Sequence, residues 1–221
     1  MKVADHPASL AEDEARLEAV RDALGPGGAV RVDANAAWDV DTAVVHLRAL
    51  DKAAGGLEYA EQPCATIEEL AAVRRRIEVR IAADESIRRA SDPMRVVRQE
   101  AADIVVLKVQ PLGGVRACLD LAEQVGLPVV VSSALESSVG LAAGVALAAA
   151  LPELPYACGL ATSHLLVHDV VAEPLLPVDG ALPVRRPEPS PRALAAAAAD
   201  HLTAERWLAR YHRLTRILED A

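Results

Sequence analysis

Short apolar runs recur along this chain at intervals of roughly 25 residues, and an amphipathic stretch of helical spacing follows each one. No other feature restricts the fold as strongly. The pattern predicts strands over 29–32, 57–60, 79–83, 104–107 and 128–131, with a last short one over 156–159. It predicts helices over 10–24, 39–52, 66–77, 91–100, 114–125 and 135–150. Punctuation agrees with these spans. Gly25-Pro26-Gly27-Gly28 and Gly55-Gly56 stop two helices, Asp39 or Asp41 starts another, and Thr66 with Glu69 forms a capping box. Strands alternating with helices mean parallel strands joined by crossover helices. The strands are apolar throughout, as expected when both faces are buried. A doubly wound sheet and a barrel share this rhythm.

Composition narrows the function classes. With 221 residues, 52% of them hydrophobic, the chain can build one sizeable core. Phenylalanine is absent, so that core must consist of Val, Leu, Ile and Ala. The net charge is −9 and no basic pattern stands out, so no nucleic-acid partner is expected. The longest apolar stretch, 139–151, is too short and too rich in Ala and Gly to span a bilayer, and no cleavable apolar leader is recognisable, so no membrane partner is expected. Cys64, Cys118 and Cys158 have no metal-like spacing and fit a reducing, cytoplasmic location. Nothing in the sequence specifies an oligomeric state.

The polar residues that end the strands carry the chemistry. Asp33 follows the first strand, Glu61 the second and Asp84 the third, 28 and 23 residues apart. One acid after a strand is usually a helix cap or a turn residue. Three at unit spacing place three carboxylates at the C-terminal ends of successive parallel strands, the end at which barrel enzymes assemble their sites. Converging carboxylates need a positive charge between them, and hard oxygen donors suit Mg²⁺. Lys108 ends the next strand, and Lys2 stands one unit before Asp33. Two ammonium groups thus flank the acids. A lysine beside a metal and a second cation can act as a base.

The motifs Val32-Asp33-Ala34-Asn35, Glu61-Gln62-Pro63, Ala83-Asp84-Glu85-Ser86, Lys108-Val109-Gln110-Pro111-Leu112-Gly113-Gly114 and 132–140 (SSALESSVG) together resemble the enolase superfamily. Within its muconate-lactonizing-enzyme-like members they are most similar to the o-succinylbenzoate synthase family of menaquinone biosynthesis. The resemblance runs from Lys2 to about Pro183. It implies an α/β fold, the C-terminal barrel portion of a TIM-like (β/α)7β barrel, over 1–183. The proline-rich linker and the helix over 192–218, with Trp207, Leu208, Tyr211 and Leu214 on one side, would make up 184–221. It further implies one Mg²⁺ held by Asp33, Glu61 and Asp84, with Lys2 as the base and Lys108 as the opposing lysine. Asn35, Ser132, Ser133, Gly159 and Leu160 would line the pocket of a small carboxylate substrate. The implied reaction is dehydration of 2-succinyl-6-hydroxy-2,4-cyclohexadiene-1-carboxylate to 2-succinylbenzoate by a lyase. An N-acylamino acid racemase or dipeptide epimerase would use the same lysines on the two faces of one carbon. A non-catalytic remnant or binding subunit is the reading from another class.

Relatives carry a capping domain, a first barrel strand and a first lysine before this point, and Met1 stands at the x of their Lys-x-Lys. Either a GTG valine codon has been read as a start, or the gene is truly truncated. Weaker signals carry ordinary expectations. His164 and His168 lack a metal motif's context. Cys64 has no evident base and is expected to line the pocket. Gly113-Gly114 make a turn, Arg74-Arg75-Arg76 a solvated helix face, and Asp39 and Asp41 caps.

Overall fold

In a computed structural model, the chain is described at residues 1–4 and 9–219. Its centre is a parallel sheet of β1 (Arg31–Asp33), β2 (Tyr59–Glu61), β3 (Ile81–Ala83), β4 (Ile104–Leu107) and β5 (Val129–Val131). The strands lie side by side in sequence order, all parallel. A doubly wound sheet reverses its strand order at a switch point. This sheet does not, and it curls as part of a barrel. Lys2 bridges to Asp33 on one edge and Gly159 to Ser132 on the other, both parallel. The curl brings the two edges together, and the Arg31 guanidinium donates to the carbonyl of Ala157 at 2.6 Å.

Side chains alternate across a strand. One set faces the concave side: Tyr59, Ala82, Ile104, Val106 and Val130 form a buried cluster there, with Tyr156 packed edge-on against Tyr59 at 5.7 Å. The other set, including Val32, Ala60, Ile81, Val105 and Val131, is buried as well, which explains the uniformly apolar strands. Register then decides where the polar residues go. Asp33 pairs with Glu61, and Glu61 with Ala82, so Asp84 comes two residues beyond its neighbour's carboxylate. Ala83 pairs with Val105, so Lys108 comes two residues beyond Asp84, and Leu107 pairs with Val131, so Ser132 is level with Lys108. Such stepping is the stagger that strand tilt requires in a barrel. Asp33, Glu61, Asp84, Lys108 and Ser132 therefore continue the concave set past the strands' C-terminal ends.

Helices between the strands are α1 (Leu10–Leu24), α2 (Val40–Ala53), α3 (Ile67–Arg74), α4 (Glu85–Arg88), α5 (Arg95–Arg98), α6 (Val115–Val125) and α7 (Ser138–Ala150). Asp39 caps α2 by accepting from the Thr42 N–H at 2.8 Å, and the Thr66/Glu69 capping box is present at α3. Asp41 is no cap but pairs with Arg76 at 2.7 Å. Ala43, Val44, Leu47 and Leu50 form the buried stripe of α2. Arg21 gathers the carbonyl ends of two helices, donating to Ala54 at 2.5 Å, Gly25 at 2.8 Å and Gly28 at 2.6 Å.

Three expected elements differ. The helix expected over 91–100 shrinks to α5, and α4 lies ahead of that span. The Asp92 carboxylate accepts from the Met94 N–H at 3.1 Å, a turn that competes with the helix, and Pro93 contributes no N–H. The strand expected over 156–159 is reduced to the Gly159 bridge, because the Ala157 carbonyl is taken by Arg31 instead of a ladder. The helix expected over 192–218 is broken into α8 (Pro191–Ala196) and α9 (His201–Glu219), since Asp200 starts α9 by accepting from the Thr203 N–H at 2.9 Å.

By contacts the chain divides into two compact units, Met1–Ala134 with Ala143–Leu160, and Leu135–Ala142 with Ala161–Ala221. Within the second, Asp169 accepts from the Ser138 hydroxyl at 2.6 Å, and that hydroxyl accepts from the Leu175 N–H at 2.7 Å. The apolar residues of α9, Trp207, Tyr211 and Leu214 among them, are exposed. No helix among the described residues is long and apolar enough to cross a membrane.

Candidate active site

The C-terminal ends of β1, β2 and β3 carry Asp33, Glu61 and Asp84 on the concave side. Asp33 ends its strand at a tight polar turn in which Asn35 and Ala36 both adopt positive φ, 47° and 64°. The Asn35 N–H donates back to Asp33 Oδ1 at 2.8 Å, and this short-range bond supports a conformation that costs most residues about 1–2 kcal/mol. Lys2 donates to Asp33 Oδ2 and, at 2.8 Å, to Asn35 Oδ1. The lysine side chain is half-exposed.

Asp84 is held more completely. Its side chain is 1% exposed, and Oδ2 accepts from Lys108 at 2.5 Å while Oδ1 accepts from Arg88 Nε at 2.9 Å. Arg88 also pairs with Glu85 at 2.5 Å. A carboxylate this buried is tolerable only with both oxygens engaged by cations. Between these two stands Glu61, and its pKa is pushed up to about 8, first by burial and then by the charges of Asp33 and Asp84, against the pull of Lys108 and Lys2.

The next layer is a clamp built on Gln62. Its side chain is fully buried and its φ is 39°. The amide oxygen accepts from the N–H groups of Asp84 at 3.0 Å and Ser86 at 3.2 Å. The amide nitrogen donates to the Cys64 carbonyl at 2.9 Å and the Ser86 hydroxyl at 2.7 Å. Ser132 meets Gly159 so closely that a Cβ at Gly159 would stand 2.8 Å from the Ser132 hydroxyl, hence the glycine. Ser133 donates from its hydroxyl to the Gly159 carbonyl at 2.9 Å. A cavity of 180 Å³ opens on the concave side, lined by Asp33, Glu61, Ser132 and Gly159 together with Met1, Arg31, Tyr59 and Val130. Leu160 is buried with its side chain toward Gly144, and Cys64 is fully buried beside the Gln62 amide.

The strand ends thus bring Lys2, Asp33 and Asn35 together, and Asp84 together with Lys108, with Glu61 between. Among the described residues, no three His, Cys, Asp or Glu side chains close on one point as a metal cage. The donor set nevertheless fits a hard dication in its chemistry. It consists of oxygen donors from three adjacent strand ends, two of them engaged by lysine ammonium groups and the third driven toward its protonated form. Sequence reasoning does not single out Gln62 or Arg88. Arg88 lies four residues after Asp84, a helical spacing that marks an ion pair only once α4 is known to start at Glu85. Gln62 follows Glu61 directly, and its partners lie across strands, where no local pattern reaches.

The sequence matches the model of the enolase C-terminal domain-like family over residues 1–189. It is 71% identical over 195 residues to the o-succinylbenzoate synthase of Thermobifida fusca, covering 88% of this chain and 61% of that protein. It is 58% identical over 210 residues to the o-succinylbenzoate synthase of Mycolicibacterium smegmatis, covering 95% of this chain and 64% of that protein. The chain therefore spans less than two thirds of the length of these relatives. The muconate lactonizing enzyme of Pseudomonas putida superposes with a TM-score of 0.80 at 27% identity, covering 90% of this chain and 57% of that one.

Proposed function

Because the chain belongs to the enolase C-terminal domain-like family, we propose that it forms the barrel part of an Mg²⁺-dependent lyase of the o-succinylbenzoate synthase type. The proposed reaction converts 2-succinyl-6-hydroxy-2,4-cyclohexadiene-1-carboxylate to 2-succinylbenzoate. One observation carries the reading: two lysines, each ion-paired to a strand-end aspartate, stand on either side of Glu61. High identity to relatives named for this activity supports it.

In this reading Asp33, Glu61 and Asp84 hold Mg²⁺, which when bound supplies Lewis-acid charge for the substrate carboxylate. Lys2 Nζ, as the neutral amine once Asp33 is engaged by the dication, would take the proton from the carbon next to that carboxylate. Lys108 keeps its positive charge on the opposite side, against the negative charge that proton loss creates. The proton now on Lys2 passes to the departing hydroxyl, which leaves as water with the C–O electron pair while the enolate electrons re-form a ring double bond. The ring becomes aromatic, so little further catalysis is required. Asn35, bonded to Lys2, orients the base. Ser132 and Gly159 border the concave cavity and would meet the substrate's far side. The buried Tyr59 ring lines the cavity and would keep water from that side.

The test is turnover of the cyclohexadiene acid with Mg²⁺ present, in the protein and in Lys2→Ala. Turnover should fall about a hundred- to ten-thousand-fold in the variant, the worth of a general base, while calorimetric Mg²⁺ binding stays nearly intact. Normal turnover in Lys2→Ala would remove Lys2 as the base. Racemisation of N-succinyl amino acids without dehydration would transfer the same residues to a racemase.

A further inference from the structure

Gln62 is a buried amide whose hydrogen-bonding capacity is fully used. Besides its four side-chain bonds, its own N–H donates to the Ala82 carbonyl at 2.9 Å, and its carbonyl accepts from the Ala36 N–H at 2.7 Å. One residue therefore joins the turn after β1, the end of β2 and the start of α4. Its orientation is also fixed, because two backbone N–H groups face one side of the amide and a carbonyl faces the other. Glu61 precedes it in the chain, and Asp84 is bonded to it through the main chain. The distance between these two carboxylates thus depends on the Gln62 side chain as well as on the sheet.

We propose that Gln62 is a positioning residue that sets the separation of Glu61 and Asp84, and through it the preference of the strand-end acids for a small dication over a larger one. The inference rests on the metal-binding reading of Asp33, Glu61 and Asp84 given above. Its physical basis is the difference between two hard ions. Mg²⁺ demands near-ideal octahedral geometry at about 2.0–2.1 Å, whereas Ca²⁺ accepts flexible arrangements at about 2.3–2.6 Å. A framework that holds two donors at fixed separation matters to the first ion and little to the second. Leucine at this position has similar bulk but leaves the N–H groups of Asp84 and Ser86 and the carbonyl of Cys64 without partners. Glutamate would turn an oxygen toward the Cys64 carbonyl and add a fourth negative charge. Ser86→Ala is milder, since it removes one partner of the amide and leaves its grip on the Asp84 N–H.

The experiment is calorimetric titration of the chain with MgCl₂ and, separately, CaCl₂, in the unsubstituted protein, Gln62→Leu, Ser86→Ala and Glu61→Gln, with circular dichroism to establish folding. In Gln62→Leu the Mg²⁺ dissociation constant should rise about 10–100-fold, as for other residues that orient metal ligands, and the Ca²⁺ constant by less than about threefold. Ser86→Ala should shift the Mg²⁺-to-Ca²⁺ ratio in the same direction by a smaller factor. Equal weakening of both ions, or unchanged Mg²⁺ binding in Gln62→Leu, would overturn the assignment. Should Gln62→Leu not fold, the ratio in Ser86→Ala decides: a shift supports the role and an unchanged ratio overturns it. Absence of binding of either ion to the unsubstituted protein would overturn the metal reading itself, and this inference with it.

Discussion

Asp33 and Asp84 end two strands of the same sheet, on the same face, two units of one rhythm apart, and they are held differently. Asp33 is reached by a half-exposed Lys2 and a turn residue, Asn35. Asp84 is 1% exposed and lies between Lys108 and Arg88, with Gln62 on its main chain. The strand-end acids are therefore more densely bonded on the β3 side than on the β1 side. Position at a strand end selects the residue type, and the density of neighbours decides how many partners hold the charge and how exposed those partners are.

The difference can be broken by substitution. Lys108→Met leaves Asp84 buried with Arg88 as its remaining cation. Removing one partner of a buried pair costs about 3–5 kcal/mol, and the lower end is expected here, read as a loss of unfolding free energy in urea. A loss below about 1 kcal/mol would place Asp84 in the same class as Asp33. Glu61, between the two, sharpens the contrast through the Mg²⁺ proposed above. Mg²⁺ at about a hundredfold excess over its dissociation constant should stabilise the chain by about 2.7 kcal/mol, and Glu61→Gln should abolish most of that gain in a thermal melt. Arg88→Met removes the second cation from Asp84 and the partner of Glu85, with an expected cost of about 2 kcal/mol for charge-assisted bonds. Lys2→Met comes last, at under about 1 kcal/mol, because Lys2 is half-exposed and Asp33 keeps its bond from the Asn35 N–H. Molar salt should erase the Lys2 effect and leave the Lys108 effect standing, since screening reaches exposed charges first. Equal salt sensitivity of the two variants would contradict the contrast in burial.

Much of this arrangement is legible in the sequence. Apolar runs and caps locate the strands and most helices, and Asp39 and Thr66 act where their residue types say they should. The strand-end acids are legible because chain spacing and strand register are both regular. What escapes is set by competition among neighbours. Asp92 diverts a helix by bonding its own main chain, and Arg31 takes the carbonyl that a last strand would have paired. The unequal burial of Asp33 and Asp84 escapes for the same reason: Lys108, Arg88 and Gln62 meet at Asp84 only after three strands are aligned.

The alternation that carries Arg31 and Asp33, Tyr59 and Glu61, Ala82 and Asp84, Val106 and Lys108, and Val130 and Ser132 on one face makes the site a matter of parity. Inserting or deleting one residue within any of these strands turns its working side chain from the mouth to the helices, whereas two restore it. Length change during divergence is thereby confined to the loops, and the chemistry of the mouth can drift by substitution while the count of residues between each strand's core and its tip stays fixed.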